Sequence, residues 1–233
     1  MTADAALSAP VLFYAAVLVL AAWGALMALR GDFWRAEQRL VEGEFQPDRW
    51  PTIAVVVPAR NEADVIEEAL LSISGQDYEG DIRVFLVDDR SDDETAHLAR
   101  RVPGVTVVSA SDTPPGWTGK LWAVSQGLAA AEEAGVPAEY FWLTDADIAH
   151  HPGELASLVA GSEHSGLDLN SLMVRLRIDR LWDVLLIPAF VFFFQKLYPF
   201  SWVNDPARKT AAAAGGSMLV RKSALARIGG IDV

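Results

Sequence analysis

Two aspartates one residue apart, Asp145 and Asp147, follow the apolar run Tyr140-Phe-Trp-Leu-Thr144 and precede His150, His151 and Pro152. Three arrangements suit such a stretch: a solvated helix-capping loop, a zinc site using the histidines, or a magnesium–phosphate site. Oxygen-only ligands favour Mg2+ or Mn2+, which keep waters and bind through one or two carboxylates plus substrate phosphates. Zinc is disfavoured, because adjacent histidines rarely converge on a metal from one helix face and no His-Glu-x-x-His spacing or third nitrogen ligand is evident. The histidines are read instead as turning the chain into the next helix.

Two more polar clusters end apolar runs, Pro58-Ala59-Arg60-Asn61-Glu62 and Asp88-Asp89-Arg90-Ser91. Each has a plain reading. Arg60 and Glu62 can form a loop ion pair worth little, and Asp92, Asp93 and Glu94 suit the positive end of a helix. Together with Asp145 and Asp147, however, they gather carboxylates that repel one another unless a cation or several donors sit among them.

The elements that must position these clusters alternate. Strand-length apolar runs occupy 52–58, 82–87, 105–109 and 139–144; helical patterns occupy 62–76, 120–134 and 152–163. Ser91 with Glu94 reads as a capping box opening a helix over 95–101. Strands apolar throughout and separated by helices predict an α/β fold with a mainly parallel sheet covered on both faces. Such sheets bind ligands beyond the carboxyl ends of their strands, where all three clusters fall.

The chain has 233 residues, enough for a substantial core plus a smaller element. With 31 acidic and 19 basic residues the net charge is -12, which argues against a nucleic-acid partner. There is no cysteine, so disulfides, thiolate metal sites and cysteine nucleophiles are excluded. Ala5 to Leu29 carries no charge and is long enough to span a bilayer. A cleaved signal peptide is the rival reading, but its usual basic start is missing. Arg30, Arg35 and Arg39 follow, which places the rest of the chain in the cytoplasm. The organisation expected is an anchor over 1–30, a connector over 31–50 and a catalytic domain over 51–233. A second apolar segment, 181–203, contains Pro188 and reads either as a buried core helix or as a segment in the membrane surface.

In order, Pro58-Ala-Arg-Asn-Glu62, Val87-Asp-Asp-Arg-Ser91, Gly119-Lys120, Asp145-Ala-Asp147 and Gly215-Gly-Ser-Met-Leu-Val-Arg221 through Gly229-Gly-Ile-Asp232 resemble the motifs of family 2 glycosyltransferases with the Rossmann-like GT-A fold. The anchor and Pro188-Ala-Phe-Val-Phe-Phe-Phe-Gln-Lys-Leu-Tyr-Pro-Phe200 make the chain similar to bacterial hopene-associated glycosyltransferases. The resemblance implies a membrane-bound inverting hexosyltransferase at the bacterial inner membrane, taking a UDP-sugar as donor and a lipid, hopanoid-related or ceramide-like, as acceptor. It implies that Ala59, Arg60 and Glu62 line the base and ribose pocket, with Asp88 or Asp89 on the base. Lys120 would approach the diphosphate; its plain reading is an exposed first-turn lysine. Asp145 and Asp147 would hold the metal, and Ser217 and Arg221 would lie toward the acceptor.

An inverting transfer also needs a general base. The family pattern puts it beyond the Gly229-Gly230 turn, past Val233, and Asp232 is a poor substitute, so the chain as it stands is expected to bind donor and metal without competent catalysis. The alternatives are a nucleotidyltransferase or a non-catalytic membrane scaffold of the same fold. The first calls for a glycine-rich phosphate loop, which the stretch after the first strand lacks.

Overall fold

The computed structural model describes residues 9–40, 43 and 45–231. In chain order the elements are α1 (Ala9–Leu29), β1 (Ile53–Ala59), α2 (Ile66–Ser74), β2 (Ile82–Asp88), α3 (Thr95–Ala99), β3 (Val105–Ser109), α4 (Gly119–Glu133), β4 (Tyr140–Thr144), α5 (Glu154–Ser165), β5 (Leu169–Leu172), α6 (Leu181–Leu197), α7 (Phe200–Val203), β6 (Ser217–Arg221) and α8 (Lys222–Arg227). They divide into two units, residues 40–175 with 213–231 and residues 9–39 with 176–212.

The larger unit is one sheet in the order β3-β2-β1-β4-β6-β5. β3, β2, β1 and β4 are parallel, as their apolar runs predict; β6 runs antiparallel to both β4 and β5. The sheet is apolar on both faces because helices cover both. Ile53, Val55, Val57 and Trp142 pack with Ile66 and Leu70 of α2 and Leu155 and Leu158 of α5. Ala54, Val56, Val87 and Phe141 pack on the opposite face with Ala123, Val124 and Ala131 of α4. Gly127 lets α4 approach that closely, since a Cβ there would run into Val56 and Val87. The chain winds outward from β1 to β2 and β3, then returns to place β4 on the other side of β1. The carboxyl ends of β1 and β4 therefore flank a switch point, the place where open α/β sheets take ligands.

Two helix starts differ from expectation. α2 begins at Ile66 rather than Glu62. The helix after β2 is not opened by a Ser91–Glu94 box; Asp93 takes that role, accepting from Thr95 N–H at 3.0 Å. Both changes leave residues 60–65 and 89–94 free to form loops above the sheet.

In the smaller unit, α1 is uncharged, exposed along its length and has a mean hydropathy of 2.3, which makes it a candidate membrane span. α6 is not a buried core helix: Gln195 is its sole buried residue. It continues through Pro188 and meets α1 near one end, with Trp23 and Phe33 against Phe192. There Arg30 donates to the Lys196 carbonyl at 2.8 Å and lies over the Trp202 ring. With α7 the segment 181–203 is also apolar and long enough for a candidate span.

Candidate functional site

The loops after β1 and β2 are interlocked before either meets a ligand. Asn61 takes a left-handed φ of 56° and Arg90 does the same, a conformation that costs a non-glycine residue about 1 kcal/mol. Asn61 is held by reciprocal bonds, its N–H donating to Ser91 Oγ at 3.0 Å and its Oδ1 accepting from Asp92 N–H at 2.8 Å. Glu62 N–H donates to Thr95 Oγ1, and Ala63 N–H to Asp93 Oδ2. Bonds from Thr95 hold the Asp93 carboxyl below its ordinary range. Asn61 has partners about thirty positions away, so no local pattern announces it, and Asp93 is legible in the sequence only as a helix-start residue.

Beyond the ends of β1 and β4 lies a cleft of about 320 Å3. Pro58, Ala59, Arg60 and Glu62 line it from the first loop, Asp89 from the second, Lys120 and Ala123 from α4, and Asp145, Ala146 and Asp147 from the segment after β4. Thr118 caps α4, accepting from Leu121 N–H, so the helix opens with Lys120 in its first turn. Lys120 Nζ reaches Asp145 Oδ1 at 2.5 Å. Arg60 does not pair with Glu62 but faces Asp89 at 3.7 Å, and Arg90 flanks the same carboxylate. Gly119 makes room for it, since a Cβ there would stand 2.7 Å from Asp89 Oδ2. Burial, then the charges of Asp147, Asp93 and Asp145, raise the Glu62 carboxyl above its ordinary value. Among the described residues neither Glu62 nor Asp147 has an ion-pair partner.

Five of the six expected donor-binding residues thus share one cleft with both expected metal ligands. Asp88 is the exception: it is buried, and its carboxylate accepts from Ser91 N–H within its own turn. Nor do the two residues expected toward the acceptor line the cleft. Ser217 is buried, bonded to Trp142 and Glu154. Arg221 sits at the far end of the sheet, because β6 is antiparallel and pairs Ser217 with Thr144 but Arg221 with Tyr140.

An oxygen-only pair of carboxylates beside a third that is electrostatically strained fits a divalent cation whose remaining ligands are phosphate oxygens and water. Among the described residues no set of three histidine, aspartate or glutamate side chains forms a complete cage. The arrangement can therefore accept a cation together with a phosphorylated ligand.

Known proteins share parts of this plan. 4,4'-Diaponeurosporenoate glycosyltransferase of Staphylococcus aureus (strain USA300) is 38% identical over 76 residues, a stretch that is 33% of this chain and 20% of that relative. Mannosyltransferase PcManGT from Pyrobaculum calidifontis, solved with GDP-Man and Mn2+, superposes with a TM-score of 0.63 and 25% identity over 94% of this chain and 59% of its own. S. aureus TarS 1–349 has the same fold at a TM-score of 0.51 and 20% identity, covering 76% of this chain and 49% of that one. This chain spans less than two thirds of each of these proteins. Residues 54–229, from the first buried strand to the turn after α8, match glycosyl transferase family 2, and the chain belongs to that family.

Proposed function

We propose that this chain binds a nucleotide-sugar with a divalent cation and belongs to an enzyme that moves the sugar to a lipid at a membrane surface. The observation that carries the reading is the juxtaposition of Asp145, Asp147, Glu62 and Lys120 in the switch-point cleft. Asp145 and Asp147 would hold Mg2+ or Mn2+. A bound ion supplies Lewis-acid stabilisation of the charge that builds on the leaving diphosphate. Lys120, at the amino-terminal end of α4, adds a fixed positive charge beside the same group, and the end of the helix reinforces it. Arg60 and Asp89 form the wall on the β2 side, where the ribose and base would lie. Glu62, already crowded by carboxylates, orients donor hydroxyls by accepting hydrogen bonds.

A uridine donor follows from the motif resemblance, whereas the Pyrobaculum mannosyltransferase is solved with GDP-Man. The acceptor would meet the smaller unit, whose α1 and α6 expose long hydrophobic surfaces that suit lipid better than water. Arg30 stacked on Trp202 marks the headgroup level, and Arg30, Arg35 and Arg39 keep the catalytic unit on the cytoplasmic side. The Staphylococcus relatives are named for transfer to 4,4'-diaponeurosporenoate, which supports a lipid-like acceptor.

Calorimetric titration of UDP and of GDP into the protein, with Mn2+ and with EDTA, tests the donor half. One of the two nucleotides binds when Mn2+ is present and binding vanishes with EDTA. Equal binding with and without the metal, or no binding of either nucleotide, overturns the reading.

A further inference from the structure

The five residues between Thr144 and His150 carry both cleft aspartates, and the two ends of that loop are tied to each other through a side chain. His150 is fully buried, its ring edge-on to Trp142 at 4.5 Å. Nε2 lies 2.8 Å from Thr144 Oγ1, the residue just before Asp145, and Nδ1 lies 3.0 Å from Glu154 Oε2. Nδ1–H donates to the carboxylate, and Thr144 Oγ1 lies within hydrogen-bond distance of both Nε2 and, at 2.9 Å, the Gly216 carbonyl, so the hydroxyl links the ring to the residue before β6. The other oxygen of Glu154 accepts from Ser217 Oγ at 2.8 Å, and Ser217 Oγ accepts in turn from Trp142 Nε1 at 3.0 Å. Asp145 N–H donates to the Gly216 carbonyl, and His150 N–H to Ser72 Oγ. Ile148 packs on Gly216, where a Cβ would stand 3.0 Å from it. Among the described residues no buried polar side-chain atom is left without a partner.

This chain of contacts does more than turn the backbone into α5. A turn needs only the backbone bonds, which His150 N–H and Asp145 N–H already make. The ring adds a strut from the last residue of β4 to the first turn of α5, and β6 braces it through Ser217. A carboxylate pair is useful to a cation only when its spacing is set in advance, and groups behind the ligands commonly set it. We propose that His150, oriented by Glu154 and Ser217, is a positioning residue that fixes the loop bearing Asp145 and Asp147. The claim rests on the reading of those aspartates as cation-holding, but the placement of the loop can be measured without any cation.

Hydrogen exchange is followed in the metal-free protein for wild type, His150→Phe, His150→Gln and Thr144→Val, alongside thermal midpoints and Mn2+ affinity from electron paramagnetic resonance. His150→Phe keeps the ring and loses both polar contacts; Thr144→Val removes one hydroxyl and serves if the phenylalanine variant does not fold. Exchange quickens at the amides of residues 145–149 while β1 and β2 stay protected, and Mn2+ affinity drops by about 10- to 100-fold. His150→Gln, whose amide can still bond Thr144 Oγ1, recovers part of both. Unchanged exchange in the loop, or a lower midpoint with exchange rising evenly across the sheet, overturns the proposal. If wild type itself takes no Mn2+ while loop exchange still responds to His150→Phe, the cation reading fails and the positioning role stands.

Discussion

At the amino-terminal end of the sheet Arg49 grips Glu139 through two bonds of 2.7 and 2.6 Å, and Arg221 reaches Glu163 at 3.0 Å over the ring of Tyr140. At the carboxyl end Asp145 has Lys120 and Asp89 has Arg60 and Arg90, while Glu62 and Asp147 face the cleft with no cation among the described residues. Both ends are rich in charge, and the hollow at the amino end is the larger, about 390 Å3 against about 320 Å3. Size therefore does not tell them apart. Charge closure does. Glu139 and Glu163 each already hold an arginine, and of that hollow's carboxylates Asp48 alone lacks an ion pair among the described residues. At the opposite end two carboxylates, Glu62 and Asp147, lack a cation and sit close enough for one to raise the other, a crowding that a bound metal would relieve.

Exchanging one charge at each end breaks the comparison most directly. Asp147→Asn lowers Mn2+-dependent nucleotide binding by roughly 100-fold or more, at or beyond the upper range for disturbing a ligand's support alone. Its thermal midpoint holds or rises, because a repulsion with Glu62 is removed. Glu163→Gln does the reverse: binding is unchanged, and stability falls by about 1 kcal/mol with the weakened contacts to Tyr140 and Arg221. Paired calorimetry and melting curves decide it. Loss of binding in the Glu163 variant would erase the distinction between the two ends.

Lys120 and Asp145 pair as closely as any residues at the far end, yet the comparison predicts that this pair is exchangeable. Lys120→Met removes a competitor for Asp145, so Mn2+ alone binds a few-fold more tightly, in keeping with the worth of an exposed pair. The same variant binds the Mn2+–nucleoside diphosphate complex more weakly, since the lysine no longer meets the phosphates. Opposite signs in two titrations of one variant are the mark of exchange. Same-sign changes would make the lysine an ordinary structural partner.

Which of these features the sequence could reveal follows from the distance over which each is determined. Val55, Val56 and Val57 announce a strand buried on both faces, and the polar residues that end β1, β2 and β4 announce the ligand edge, because both signals are local. The direction of β6 is not local. Nothing within Ser217 to Arg221 says that it runs against β4, and that one reversal carries Arg221 to the end of the sheet opposite the cleft. The strut from Thr144 through His150 to Ser217 is silent for the same reason: Ser217 is more than seventy positions from Trp142. α6 misleads in another way. An apolar helix reads alike whether protein or lipid covers it, and only its exposure in the structure separates the two.

The finest comparison between the two ends is in their response to acid. Bonds and charge from Arg49 hold the Glu139 carboxyl below its ordinary value of 4.5 despite some desolvation, whereas burial and neighbouring carboxylates push Glu62 above that value. A depressed carboxyl contributes stability that is complete above its unfolded value and is lost as pH falls through the folded one. Glu139→Gln should therefore lower the midpoint at pH 7, and the gap to wild type should close below about pH 4.5. Glu62 has the opposite sign. Its contribution is complete below the unfolded value and is lost as pH rises through the raised folded value, so at pH 7 the ionised side chain destabilises the fold. Glu62→Gln should raise the midpoint at pH 7, with the gain disappearing on acidification into the range where wild-type Glu62 is protonated. Both groups are largely solvated, so the shifts are small, and melting curves in EDTA at pH 7 and pH 4 must resolve them by sign rather than size. If Glu62→Gln lowered the midpoint at pH 7, the cleft would not be short of positive charge, and the reason for placing a cation there would go with it.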